Sequence, residues 1–163
     1  MRRTKTHLYF WGGIYSQWAY SKFIENDIEF TSAEQYMMYK KALLFDDIET
    51  SIKILNIDNP RKVKKLGREI KNFDNKIWNE NKIDIVTQGN ILKFSQNEKL
   101  MNIMFEDCNL TLVEASPYDK IWGVGLHFDD NLILNQDNWR GENLLGVCIM
   151  RAREFISKEL NDF

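Results

Sequence analysis

Cysteine is scarce in this 163-residue chain, long apolar runs are missing, and neither sign of charge is in real excess. The two cysteines, Cys108 and Cys148, stand in no metal-ligand spacing, so no metal site is expected. Such sparse usage suits a reducing cytosol, where both act as small buried hydrophobes. No stretch approaches the roughly 20 apolar residues that cross a bilayer. The basic start Met1-Arg2-Arg3-Thr4-Lys5 leads into Tyr9-Phe10-Trp11-Gly12-Gly13, too short and aromatic for a signal-peptide core. Lysine and arginine number 22 against 24 acidic residues, a formal net charge of −2, so any polynucleotide contact must be local. Repeats, linkers and low-complexity tracts are absent too. What is left is a soluble, cytoplasmic protein of one domain, residues 1–163, long enough to bury a sizeable core.

Periodicity predicts a mainly α protein with a few short β-strands, an α+β class. Residues 7–30 read as strand and loop pieces, with aromatic alternation around Leu8, Phe10 and Trp18, then Ile28-Glu29-Phe30. A helix follows over about 33–44, and Asp46-Asp47 starts a second through Leu55. Asn59-Pro60 starts a third, because proline suits the first helical position. A longer helix over about 74–94 carries Ile77, Trp78, Ile85, Ile91 and Leu92 as its apolar stripe; Gly89 inside it points to close packing. Another helix spans about 97–107, and Leu110-Thr111-Leu112-Val113 reads as a strand delivering Ser116-Pro117-Tyr118-Asp119. A hairpin-like segment through Asp129-Asp130-Asn131 and a final helix over about 143–160 complete the chain.

The stretch Thr31 to Ala42 is the richest in chemistry. Glu34 and Lys41 are seven positions apart, two turns along one helix face, with Met37 and Met38 between them to exclude water. A desolvated carboxylate and amine can do acid–base and nucleophilic work. The alternative is structural: Thr31 followed by Glu34 is a capping-box pattern, and a lysine at the far end suits the helix dipole. Asp119 has two readings as well, a site carboxylate or simple turn chemistry. Trp122, beside Gly123 and Gly125, can stack on a flat base or serve as a core ring. Trp11, Trp78 and Trp139 are assigned to the core. Of the cations over 61–68, Arg61, Lys62, Lys64 and Lys65 read as a solvated face.

The segment containing Glu34 and Lys41 resembles the marker helix of the NADAR family, the YbiA-like riboflavin-intermediate N-glycosidases. Further matches follow in register. Tyr15-Ser16-Gln17-Trp18 is similar to the family's Phe-Ser-Asn-Phe element, Gly67-Arg68 to its Gly-Arg pair, and Leu92-Lys93-Phe94 with Asn97 to its Lys-Phe segment. Glu114 to Gly125 resembles its Ser-Pro-x-Asp-x-x-Trp-Gly-x-Gly loop, and Trp139 to Gly146 its Gly-x-Asn-x-Leu-Gly turn. The resemblance covers about residues 9–156 and implies a single-domain YbiA-like fold.

It also implies chemistry. Hydrolysis of an N-glycoside passes through a ribosyl centre with oxocarbenium character, needing negative charge near C1′ and proton management at the base. The resemblance assigns Glu34, Lys41 and Asp119 as catalytic. A lysine there can form a Schiff base with the opened ribose while Glu34 accepts protons, or water can attack C1′ directly; the sequence leaves both routes open. Ser16, Gln17, Trp18, Arg68, Trp122, Gly123 and Asn143 are the implied substrate contacts, Arg68 as a phosphate fork and Asn143 also as a cap for the last helix. Gln17 stands where the family commonly has asparagine, displacing its amide by one methylene. His7 and His127 match nothing and receive no catalytic role. No cofactor or metal is implied.

The resemblance brings two activities: removal of ADP-ribose from modified guanine, in DNA or as a nucleoside, and cleavage of phosphoribosylamino-pyrimidine intermediates of riboflavin synthesis. The lack of a riboflavin-pathway domain puts the ADP-ribosyl-guanine substrate first. A non-catalytic ADP-ribose or NAD-derivative binding module is a rival of another class, opposed by the joint presence of Glu34, Lys41 and Asp119. A nucleic-acid-binding module is opposed by the charge balance. No membrane partner is expected, and the chain is read as a monomer.

Overall fold

A computed structural model of the chain describes residues 1–161. Among them are β1 (Arg2–Arg3), β2 (His7–Phe10), β3 (Phe23–Glu25), β4 (Ile28–Phe30), α1 (Ala33–Leu44), α2 (Ile48–Leu55), α3 (Pro60–Arg68), α4 (Asn75–Ser95), α5 (Glu98–Glu106), β5 (Thr111–Glu114) and α6 (Leu144–Asn161). The class is α+β with helix dominant. None of these helices is long and apolar enough to cross a membrane. The chain forms two compact units, residues 17–97 and residues 1–16 with 98–161.

In the unit of residues 17–97, α1 packs against α2, α3 and α4. Each neighbouring helix starts on a side chain that satisfies backbone N–H groups left open by the first turn. Asp47 caps α2 by accepting from Thr50 N at 3.1 Å, Asn59 caps α3 ahead of Pro60, and Asp74 caps α4 through Lys76 N and Ile77 N. Asp47 also accepts from Lys71 N at 2.9 Å, tying the start of α2 to the chain leaving α3. The core here is aromatic: the rings of Phe23, Phe30 and Tyr36 lie 5.1–5.9 Å apart. Gly89 of α4 is where the Tyr36 ring packs, as its place inside a helix suggested. Strands β3 and β4 form an antiparallel hairpin, and the Gln96 side chain pairs with both the N–H and the carbonyl of Ile24 at 2.8 Å, occupying that edge. Lys93 is wholly buried, and burial alone brings its ammonium down to about 7.

In the unit of residues 1–16 and 98–161, the sheet order is β1-β2-β5, with β2 and β5 parallel and Phe10 opposite Glu114. One face buries Tyr9, Val113, Ala115, Val124, Leu126 and Ile133. The carboxylate of Asp107 accepts from Tyr15 Oη at 2.6 Å and pairs with Arg3 at 2.5 Å. Burial, then that carboxylate, pushes the Tyr15 phenol far above its ordinary value. The segment expected as a hairpin around 129–131 is instead two 3-10 turns, Asn131–Leu134 and Gln136–Asn138. The reason is local: Asp130 Oδ1 takes Leu132 N at 2.9 Å and Asn135 Oδ1 takes Asp137 N at 3.0 Å, so side chains claim the donors a strand would have used.

Asn143, expected as a substrate contact and helix cap, stands just before α6, where its carbonyl accepts from Val147 N at 3.2 Å and its side chain braces β5. It is 4% exposed at a left-handed φ of 55°, and its Oδ1 accepts from Glu114 N at 2.9 Å while its Nδ2 donates to Leu112 O at 2.9 Å. Both ends of the amide therefore hold β5 against the entry to α6. Asn143→Ala orphans a donor and an acceptor of β5, and the expected loss is roughly 2–4 kcal/mol in urea unfolding; a variant within a few tenths of wild type would reassign the residue to ligand binding.

Candidate active site

The first turn of α1 is capped without Glu34. The N-cap is Ser32, extended at φ −159° and ψ 156°, with its side chain accepting from Gln35 N at 3.2 Å. Gln35 reaches back to accept from Thr31 N at 2.8 Å, and its Nε2 donates to the carbonyls of Ile54 and Ile57, each at 3.1 Å. The reciprocal cap is thus Ser32 with Gln35, one residue beyond the Thr31/Glu34 pairing suggested by the pattern. Glu34 is left as a carboxylate only 5% exposed, on a backbone pinned by its own N–H to Gln17 O at 2.9 Å.

Two turns on, Lys41 Nζ donates to the carbonyl of Gly67 at 2.8 Å and lies 4.5 Å from the Phe73 ring centre and 5.3 Å from that of Trp78. Met38, on the face between Glu34 and Lys41, fills the space where a side chain on Gly67 would stand. A glycine there lets α1 and α3 approach until the Gly67 carbonyl meets the amine. Burial lowers the pKa of Lys41, the Glu34 charge opposes that shift, and the Arg68 charge adds to it. Lys40 faces elsewhere, paired with Glu25 at 3.1 Å.

Arg68 is exposed at the end of α3 and makes no ion pair among the described residues. Lys64 precedes it by one turn on the same face, with Nζ 6.0 Å from the ring centre of Trp18, which is 40% exposed. Gln17 Oε1 accepts from Asn90 Nδ2 at 3.1 Å, and Asn90 Nδ2 also donates to Val86 O, which fixes the sense of both amides. Gln17 Nε2 and Asn90 Oδ1 are then buried with no hydrogen-bond partner among the described residues.

The remaining candidates belong to the other unit. Ser16 N donates to Gly13 O at 3.1 Å in the turn after β2. Asp119 Oδ1 accepts from Ile121 N at 2.9 Å and Trp122 N at 2.8 Å, the turn chemistry its context suggested, while Oδ2 makes neither bond. Trp122 is half-buried and its carbonyl accepts from Leu145 N. Gly123 is buried, and a side chain there would press on the carbonyls of Glu114 and Asp119. Among the described residues, no group of three or more His, Cys, Asp or Glu side chains stands together as metal ligands.

The model of the NADAR domain family matches residues 9–157, both compact units included. The chain belongs to the NADAR family. Among NADAR relatives, N-glycosidase R617 of Acanthamoeba polyphaga mimivirus is 47% identical over 146 residues, 86% of each protein. Protein irg-1 of Caenorhabditis elegans is 42% identical over 132 residues, 80% of this chain and 62% of irg-1. The NMR structure of the Escherichia coli protein YbiA superposes with a TM-score of 0.80 at 22% identity, covering 99% of this chain and 91% of YbiA, so the fold is shared.

Sequence reading missed three parts of the Lys41 surroundings. Trp78, assigned to the core, is 8% exposed yet offers its ring to the amine; Phe73 does the same, and the Gly67 carbonyl takes the hydrogen bond. Only the Gly67-Arg68 match hinted at any of them. The charges around Lys41 give a signed test without substrate. Arg68→Gln removes a charge that lowers the Lys41 pKa, so at neutral pH the free-amine fraction falls and Lys41 reacts more slowly with an amine-directed reagent. Glu34→Gln removes a charge that raises it, so the same reaction speeds up. Peptide mass mapping of the rate at Lys41 reads both, and equal rates in the two variants would remove the coupling.

Proposed function

We propose that this NADAR chain is an N-glycosidase that releases ADP-ribose from ADP-ribosylated guanine, with Lys41 as the nucleophile at C1′ and Glu34 as the proton carrier. The reading is carried by the buried Glu34 carboxylate electrostatically coupled to the Lys41 amine. A diphosphate is favoured over a single phosphate because Lys64 and Arg68 present two cations one turn apart.

The chemistry follows from those groups. When the ribose ring opens, O4′ takes a proton from solvent and C1′ becomes an iminium carbon still bonded to the guanine nitrogen. The unprotonated Lys41 amine adds to C1′ and gives up a proton to the Glu34 carboxylate. Glu34 passes that proton to the guanine nitrogen; the C1′–N bond breaks with the electron pair leaving on the base, and a protonated C1′=Nζ Schiff base remains. Water then adds to C1′, and Glu34 carries one of its protons to Nζ. Lys41 departs as a neutral amine, leaving a C1′ aldehyde as the second proton of that water returns to solvent, and the O4′ hydroxyl adds to C1′ to close the ring of free ADP-ribose. The Gly67 carbonyl and the faces of Phe73 and Trp78 hold Nζ in place.

Glu34→Gln is expected to lower kcat by about a hundredfold or more while leaving thermal unfolding nearly unchanged, since Gln35 does the capping. A wild-type rate in that variant would sink the assignment. Asp119→Asn in the same assay tests the second carboxylate. Products from ADP-ribosyl-guanosine and from the phosphoribosylamino-pyrimidine, compared by mass spectrometry, decide the substrate; release of base only from the pyrimidine overturns the ADP-ribosyl reading.

Borohydride added during turnover should reduce the Schiff base and leave a covalent mass on Lys41, with Lys40, held by Glu25, unmodified. An undiminished rate in Lys41→Arg would mean that water attacks directly.

A further inference from the structure

Five cations, Arg61, Lys62, Lys64, Lys65 and Arg68, stand within the nine residues of α3, and that helix carries no acidic residue. None of the five forms an ion pair among the described residues. Elsewhere in the same unit Lys22, Lys40, Lys53 and Lys71 each pair with a glutamate, so α3 departs from its balanced surroundings. Arg61, Lys64, Lys65 and Arg68 follow at i, i+3, i+4 and i+7, which gathers them into one stripe along the helix. Val63 and Gly67 are buried, Gly67 against Met38 of α1, and the stripe lies on the side that this packing leaves open.

The arrangement works against the helix itself. Arg61 with Lys65 and Lys64 with Arg68 are like-charge pairs one turn apart, and Arg61 and Lys62 occupy the first turn, where the helix dipole disfavours a cation. A polyanion laid along the stripe relieves both. The stripe also leads to the proposed nucleophile, for Arg68 adjoins Gly67, whose carbonyl accepts from Lys41 Nζ at 2.8 Å. Beside its middle, Lys64 Nζ lies 6.0 Å from the ring centre of Trp18, which is 40% exposed. Cations that track a backbone next to an open aromatic ring are the means by which proteins hold a single nucleic-acid strand. At about 1.5 Å per residue the stripe is about 10 Å long, room for about three phosphates spaced about 3.4 Å apart.

We propose that Arg61 and Lys65 extend the Lys64/Arg68 pair into a docking surface for the phosphates of single-stranded DNA, with Trp18 stacked on one of its bases. The proposal rests on the reading of ADP-ribosylated guanine as the substrate, and it makes that guanine part of a strand rather than a free nucleoside. Arginine and lysine donate hydrogen bonds and accept none, so nothing in the stripe answers the donor of a ribose 2′-hydroxyl, which favours DNA over RNA. The apolar side of α3 is used in packing, which disfavours a lipid surface.

Anisotropy of a fluorescent single-stranded DNA oligonucleotide, titrated with the protein at several salt concentrations, tests the surface without any reaction. Binding should weaken as salt rises. The double exchange Arg61→Gln with Lys65→Gln, both at exposed positions, should weaken it about tenfold at low salt. It should also reduce the slope of log affinity against log salt by about 1.4, since two phosphate contacts are lost. On an ADP-ribosylated oligonucleotide the same variant should lose about tenfold in kcat/KM relative to its value on ADP-ribosyl-guanosine. Trp18→Leu should weaken the oligonucleotide with the slope unchanged, because a stacked base releases no counterion; an affinity that this exchange leaves unmoved overturns the stacking. Equal oligonucleotide affinity in wild type and the double variant overturns the surface even if ADP-ribosyl-guanosine is hydrolysed. So does tighter binding of RNA of the same sequence, or retention on phosphatidylserine vesicles in place of DNA. Salt-dependent DNA binding that the double variant loses, in a protein that leaves ADP-ribosyl-guanine intact, upholds the surface and removes the reading.

Discussion

The close approach of α1 and α3, with the Met38 side chain seated on Gly67, is the constraint on which the Lys41 environment depends. It brings the last carbonyls of α3 within reach of α1, so Lys41 Nζ finds an acceptor at 2.8 Å although burial disfavours its charge. An amine in that position is held by one hydrogen bond and two aromatic faces rather than by a salt bridge. Because no carboxylate among the described residues pairs with it directly, burial prevails over the Glu34 charge and lowers its pKa. The price is met by the packing of α1 against three other helices.

A second consequence concerns Glu34. A glutamate in the first turn of a helix is ordinarily explained by capping and by the dipole. Here Ser32 and Gln35 satisfy the turn, and Gln35 goes on to tie α1 to the end of α2 through Ile54 O. Glu34 is therefore buried without serving as the cap, and its charge raises the Lys41 pKa against the effect of burial.

The two compact units divide the family's sequence elements between them. Glu34, Lys41, Gly67 and Arg68 fall within residues 17–97, while the Asp119 loop and the Asn143 turn fall within the other. Asn143 illustrates how a motif residue can be structural: its amide completes the backbone pairing of β5, and a left-handed φ, which asparagine tolerates better than most residues, sets the turn into α6. The 3-10 turns after Leu126 follow the same rule, with short polar side chains displacing a ladder.

The sequence by itself determined the helices and most of their starts, because a cap and an apolar period are local facts: Asp47, Asn59 and Asp74 cap within three residues of themselves. It also determined that Glu34 and Lys41 share one face of α1, since two turns of helix fix which face a residue shares. Tertiary structure alone decided between Ser32 and Thr31 as the cap, because both hydroxyls are compatible with the local pattern and the packed carbonyls of Ile54 and Ile57 select the position of Gln35. It likewise decided which tryptophans are buried: Trp78 and Trp11 are equally apolar, and only the placement of Lys41 against one ring and of the other just past the carboxyl end of β2 tells them apart.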